Sequence, residues 1–419
     1  MDSPIESAAS VKIADLDVTL DHPNRLFAPG DTITGSVHGW DPSTGESSLE
    51  ISLQGRSKTY IQPGNGVVNK DRSLLTYQTT RLEPSDHVGS SIAKFSLTVP
   101  LSVEENPSDL AKKINDGRSY WRHSWPKEDP AFESSGGHRL PPSMSVPHRE
   151  PWRGDPMSAW GHIQYTVTAT VSQGEGDQTS KTESYPETVR ISGPPVTVEE
   201  LEPFKGVMRK GMGQLCMDRK KEPKKKTFSW YVRSALKLYP LLWLAPTIKV
   251  PRYAVVGDDI KISIQLQPSP AEYRFDLPPI SLHRVTARIR DTAGIRGKRT
   301  PLGGTFELEL PGGPSASKTW TTKHLFNPAE DGRSYQNAPC QVTFQIPRSC
   351  IPTFKTYNLY MKWNVAVELV LRGLDQEKMA EVESEIDLVP RLRGITTDEE
   401  LDEDVVDPEA PGVAHNATL

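Results

Sequence analysis

The sequence predicts an all-β chain built as two tandem Ig-like β-sandwiches, and three observations predict it. Apolar and polar residues alternate with a period of two through most of the chain, the mark of antiparallel strands with one buried and one wet face. The 37 prolines and 30 glycines among 419 residues argue against a helical bundle. Two settings of one pattern, Gly30-Asp31-Thr32-Ile33 and Gly257-Asp258-Asp259-Ile260, stand 227 residues apart, and each opens an alternating run. Gly-Asp supplies a tight turn before a strand. The chain therefore reads as one unit set twice, at a length beyond what a single hydrophobic core usually holds.

Residues 1–10 read as a disordered N-terminus without the basic start and apolar stretch of a signal peptide. Strand patterns then run through Val11–Leu20, Thr32–His38, Leu49–Gln54, Leu74–Leu82, Ile92–Val99, Ile163–Val171 and Ser184–Ser192. They place a first sandwich over 11–198, with turns of Pro, Gly, Asn and Asp at the spacing a sandwich needs. A Pro- and Trp-rich insertion, 101–160, interrupts it. One short helix is expected there, with Asn106 as N-cap, Pro107 at the first helical position, Asp109 in the first turn, Leu110 and Ile114 on one face and Gly117 as the stop. The remainder, through Trp121, Trp125, His138, Trp152 and Trp160, reads as a long loop.

Residues 199–245 read as a basic inter-domain linker. Arg219, Lys220, Lys221, Lys224, Lys225 and Lys226 flank Glu222 and Pro223. Thr227 then caps an amphipathic helix whose Phe228, Tyr231, Val232, Ala235, Leu236 and Tyr239 form one stripe, with Arg233 and Lys237 opposite and Pro240 as the stop. The second sandwich, 246–392, takes strands at Pro246–Leu266, Ile280–Asp291, Thr305–Leu310, Lys318–Phe326, Cys340–Ile346, Tyr360–Arg372 and Met379–Val389. In the tail, 393–419, eight of the twelve residues from Asp398 to Glu409 are acidic, a composition that reads as disordered.

The bulk properties narrow the function classes. A net charge of −5 and a pI near 6.1 give no reason to expect a nucleic-acid partner. Cys216, Cys340 and Cys350 are odd in number and lack a Cys-x-x-Cys spacing, which fits a reducing compartment and no structural zinc. No window approaches 18 uninterrupted apolar residues. A cytoplasmic chain is expected, with no cofactor and no metal. His123, His138 and His148 share the long loop with Glu128, Asp129 and Glu133, but their wide spacing in a polar loop reads as solvated side chains. No His-Glu-x-x-His, Gly-x-Ser-x-Gly or phosphate loop appears, so no catalytic residue is expected.

At this point the order of motifs resembles a family. Leu-x-Ile-x-Leu-x-Gly over 49–55, Phe95-x-Leu-x-Val-Pro100, Leu140-Pro141-Pro142-Ser143 and Gly161-His162-Ile163-Gln164-Tyr165-Thr166-Val167-x-Ala169 resemble the N-terminal arrestin domain. Pro278-Pro279-Ile280, the stretch from Thr292 to Arg296 and Phe354-Lys355-Thr356-Tyr357-Asn358-Leu359 resemble the C-terminal domain of fungal α-arrestin-type proteins. The resemblance spans roughly residues 11 to 390. It implies a cytoplasmic adaptor, peripheral at the plasma membrane or endosomes, that docks on cytoplasmic parts of membrane transporters or receptors and links them to ubiquitination and endocytic trafficking. It also implies recruitment of a ubiquitin ligase through Pro-Pro-x-Tyr, yet Pro141-Pro142, Pro194-Pro195 and Pro278-Pro279 lack the tyrosine. A retromer-like sorting scaffold shares the double sandwich, and a β-sandwich hydrolase is a further alternative.

Two candidate surfaces emerge. Arg219, Lys220, Lys221, Lys224, Lys225, Lys226, Arg233 and Lys237 would favour an anionic membrane leaflet, unless the helix packs its stripe on a sandwich. Trp121, Trp125, Trp152 and Trp160, with arginines among them, would anchor a partner, unless they fold back over their own sheet. The acidic tail would mask the basic run by charge, or stay solvated.

Overall fold

A computed structural model describes residues 16–41, 47–62, 69–83, 92–104, 131–149, 158–173, 180–193, 207–210, 213–216, 241–268, 277–296, 306–308, 316–336, 338–373 and 376–390. These residues form an all-β structure of four sheets, and no helix occurs among them. The expected helices near 106–117 and 227–239, the N-terminus 1–10 and the acidic tail lie outside the described residues.

The first unit pairs a small sheet with a large one. The small sheet is β1 (Asp17–Leu20), β3 (Thr32–His38) and β6 (Ile92–Thr98). The large one runs β2 (Leu26–Phe27), β10 (Glu187–Ile191), β8 (Ser158–Gln173), β4 (Ser47–Gln62) and β5 (Asn69–Leu82), with β7 (Met144–Arg149) and β9 (Ser180–Glu183) also on β8. Val18, Ile33, Val37, Phe95 and Leu97 from the small sheet and Leu49, Ile51, Leu53, Tyr165 and Val167 from the large one are buried. Alternate residues of each strand thus close the core between the two sheets.

The second unit repeats this plan. Its small sheet runs β11 (Val207–Lys210), β13 (Leu241–Val250), β15 (Asp259–Pro268) and β19 (Cys340–Gln345), with β12 (Gly213–Cys216) also on β13. Its large sheet runs β14 (Tyr253–Val255), β22 (Gln376–Val389), β21 (Leu359–Gly373), β16 (Ile280–Ile295) and β17 (Phe306–Leu308). Here β18 (Ser317–Phe326) joins β16, and β20 (Phe354–Lys355) joins β21. The parallel pair β2 with β10 has its counterpart in β14 with β22, while the other pairings are antiparallel.

The duplication reaches single hydrogen bonds. Gly30 and Gly257 sit at φ of 92° and 91°, where an L side chain is strained and glycine is not. Gly30 N–H donates to Val99 and Val99 N–H to Asp31; Gly257 N–H donates to Ile346 and Ile346 N–H to Asp258. A tyrosine hydroxyl also ties down a Pro-Pro pair in each unit, Tyr165 to the Pro141 carbonyl at 2.7 Å and Tyr335 to that of Pro278 at 3.1 Å.

Several elements differ from the sequence reading. The stretch read as linker, 199–245, contributes β11 and β12, which pair with β13. The run Pro246–Leu266 is interrupted after Val250, where β14 leaves to pair with β22, and the turn at Gly257 starts β15. Within the insertion read as loop, Met144–Arg149 forms β7.

Candidate functional site

Where the two units meet, the strands outgrow their own core. β4 continues past Leu53 to Gln62, and its inward residues change from Leu49, Ile51 and Leu53 to Ser57 and Thr59, both buried. A buried hydroxyl needs a partner. These find theirs on the second unit: Ser57 Oγ donates to Asn358 Oδ1 at 2.5 Å, and Thr59 Oγ1 to the Arg296 carbonyl at 3.0 Å. From β5, Asp71 accepts from Asn358 Nδ2 at 3.1 Å.

The segment 354–359 supplies the opposite wall. Thr356, Tyr357, Asn358 and Leu359 are each 0% exposed. Thr356 Oγ1 accepts from the Asn358 and Leu359 amides, folding the turn so that the Asn358 amide group points at the first unit. Arg296 Nη2 donates to the Tyr357 carbonyl, its guanidinium lies 4.4 Å over the Phe132 ring, and its own N–H donates to Asn358. A charged group this buried needs such contacts to offset its desolvation. Gly161 completes the fit: a Cβ there would stand 2.4 Å from Leu359 Cδ1, so the approach of β8 to the second unit requires the missing side chain.

Beside this polar junction a cavity of about 650 Å³ opens between the units, lined by Glu133, His138, Arg139, Tyr253, Lys355 and Asp387 among others. His138 donates from Nδ1 to the Ser135 carbonyl at 2.8 Å and meets the Tyr357 ring edge-on at 5.0 Å. Burial pushes its pKa down, against the pull of that carbonyl and of Glu133. Asp387 is pushed up by burial and then by Glu385, with Arg252 and Lys355 opposing.

Of the sequence-derived candidates, Trp160 is described, and it is not in a loop. It lies on β8, half-buried, across from Tyr60 on β4. Its ring stacks on Tyr60 at 5.6 Å and on His162 at 5.3 Å, with interplanar angles of 8° and 6°. The alternation of buried Ala159, Gly161 and Ile163 with Trp160 and His162 was the available signal, hidden because glycine carries no apolar weight. Trp121, Trp125, Trp152, Arg219, Lys220, Lys221, Lys224, Lys225, Lys226, Arg233 and Lys237 lie outside the described residues. Among the described residues no group of three or more His, Cys, Asp or Glu is placed to hold a metal.

His162 carries a pH signature. Burial first, then Lys58 and Arg72, lower its pKa from 6.5 to about 4. The native state therefore holds a neutral imidazole while the unfolded chain protonates near 6.5. The resulting stability is intact above that pH and falls as pH drops toward about 4. We expect His162→Gln to flatten the melting temperature across this window relative to wild type. Parallel profiles for the two proteins would remove the buried-histidine account.

The chain matches no protein-family model, and no curated protein matches it. Among the described residues no helix is long and apolar enough to cross a membrane.

Proposed function

We propose that this chain is a non-enzymatic, arrestin-type adaptor. It binds cytoplasmic parts of membrane transporters or receptors and links them to ubiquitination and endocytic trafficking. The observation that carries this reading is the duplicated sandwich-like unit closed by one buried polar junction, in which the Phe354–Leu359 motif forms the wall. Such a frame presents loops and broad sheet faces and holds them at a set angle, which suits recognition of extended protein surfaces. Ligase recruitment on this reading proceeds by a contact other than Pro-Pro-x-Tyr, and peripheral residence at the plasma membrane or endosomes follows from the cargo.

Proximity labelling with the full chain in living cells tests this. Transient labelling of transporters or receptors together with ubiquitin-ligase components is the expected result. Stable co-purification with coat subunits alone, without those proteins, would favour a sorting scaffold and overturn the adaptor.

A further inference from the structure

Among the described residues, the large sheet of the second unit ends in a strand whose outer side is open along most of its length. β22 pairs with β21 from Gln376 to Ile386, while on its other side β14 covers only Asp387–Val389. The hydrogen bonds at that covered end fix which residues face outward. Asp387 N–H donates to the Arg252 carbonyl and Val389 accepts from Val256, both on the β14 side, whereas Leu388 exchanges bonds with Thr353 on the other. Backbone groups alternate sides along a strand. Glu377, Met379, Glu381, Glu383 and Glu385 therefore aim their N–H and C=O groups away from β21, along an edge about 26 Å long at ~3.3 Å per residue. The neighbouring β11 and β12 belong to the facing sheet and pair with β13, not with β22.

The same five residues carry the exposed side chains of β22, and Ala380, Val382, Ser384 and Ile386 between them are buried. Four of the five are glutamates. Arg290 reaches Glu381 at 2.8 Å and Glu383 at 4.0 Å, and Arg372 reaches Glu377 at 3.8 Å. Two arginines facing four carboxylates leave the row negative. A second copy pairing here about a two-fold axis would set glutamate rows side by side, which is repulsive.

We propose that the free edge of β22 takes an extended segment of another protein as an added antiparallel strand, one with Lys or Arg at alternate positions. The backbone of residues 377–385 supplies the ladder, and the glutamate row selects the occupant by charge on one face of it. This inference stands apart from the adaptor reading, because it concerns in vitro peptide binding and not which cellular proteins carry the peptide.

The test uses the full chain and a labelled peptide of alternating lysine and valine, read by fluorescence anisotropy at low and high salt. Binding is expected for this peptide and not for its glutamate-valine counterpart. It should weaken at high salt, and by about tenfold in a Glu383→Lys, Glu385→Lys variant. Methylating alternate peptide nitrogens, which removes donors and keeps every charge, should also abolish it when the methyls fall on the ladder side. Glu383→Pro removes one outward N–H without touching the bonds to β21 and should weaken binding too. If N-methylation leaves affinity unchanged in both frames, the peptide is held by charge alone and strand addition is overturned. Equal binding of both peptides, or self-association of the chain lost in Glu383→Pro, would likewise overturn it.

Discussion

Asn358→Ala is expected to lower stability by about 3 kcal/mol, because it strips partners from groups that water cannot reach. Ser57 Oγ loses the acceptor it meets at 2.5 Å, and Asp71 Oδ2 loses the amide that donates at 3.1 Å. Ser57 and Asp71 are 0% and 3% exposed, so the loss of each of these bonds is not made good by water. The corresponding fall in the melting temperature of one shared transition is about 4 °C. Asn358→Asp sharpens the expectation. It keeps the acceptor for Ser57 but puts a second carboxylate against Asp71, where like charges in a buried site cannot both stay ionised. This variant should be worse than alanine at neutral pH and should recover part of the loss in acid. Thermal melts of the three proteins at pH 7 and pH 4 check both points. An Asn358→Asp variant as stable as wild type at neutral pH would show that the junction is not the dry site described.

The visibility of these features in the sequence follows from what each residue faces. Thr32–His38 reads at its observed bounds, since Ile33, Gly35 and Val37 face a purely apolar core and the remaining positions face outward. The strand expected at Leu49–Gln54 runs on to Gln62, and the extension is hidden because past Gly55 the inner face turns polar at Ser57 and Thr59, buried against the other unit, before Ile61 restores an apolar residue. Hydrophobic alternation vanishes where burial is satisfied by hydrogen bonds. The Phe354–Leu359 segment stands out in the sequence only as a family-like motif. Its chemistry is invisible there, since Asn358 meets Asp71 287 positions away and Ser57 301 positions away. Trp160 draws notice by residue type and reads as part of a loop, because Gly161 is small to admit Leu359 and interrupts the apolar count.

Trp363→Ala is the second large effect, about 4 kcal/mol, and it acts within one unit. Trp363 is 2% exposed, in the first half of β21, between Asp291 on β16 and Ile386 on β22. Its Nε1–H donates to the Ile351 carbonyl at 2.8 Å, so truncation leaves a cavity and removes that carbonyl's indole donor as well. Trp363→Phe keeps most of the ring and loses the donor, and should cost about 1–2 kcal/mol. The pairing of this substitution with Asn358→Ala asks whether the junction makes the two units melt together. With the junction intact, Trp363→Ala should pull down one shared calorimetric transition. In the Asn358→Ala background it should lower the second unit's transition and leave the first unit's where it was. Additive shifts of one undivided transition in the double variant would mean that contacts other than those of Asn358, such as Gly161 with Leu359 and Phe132 with Tyr360, hold the units as one.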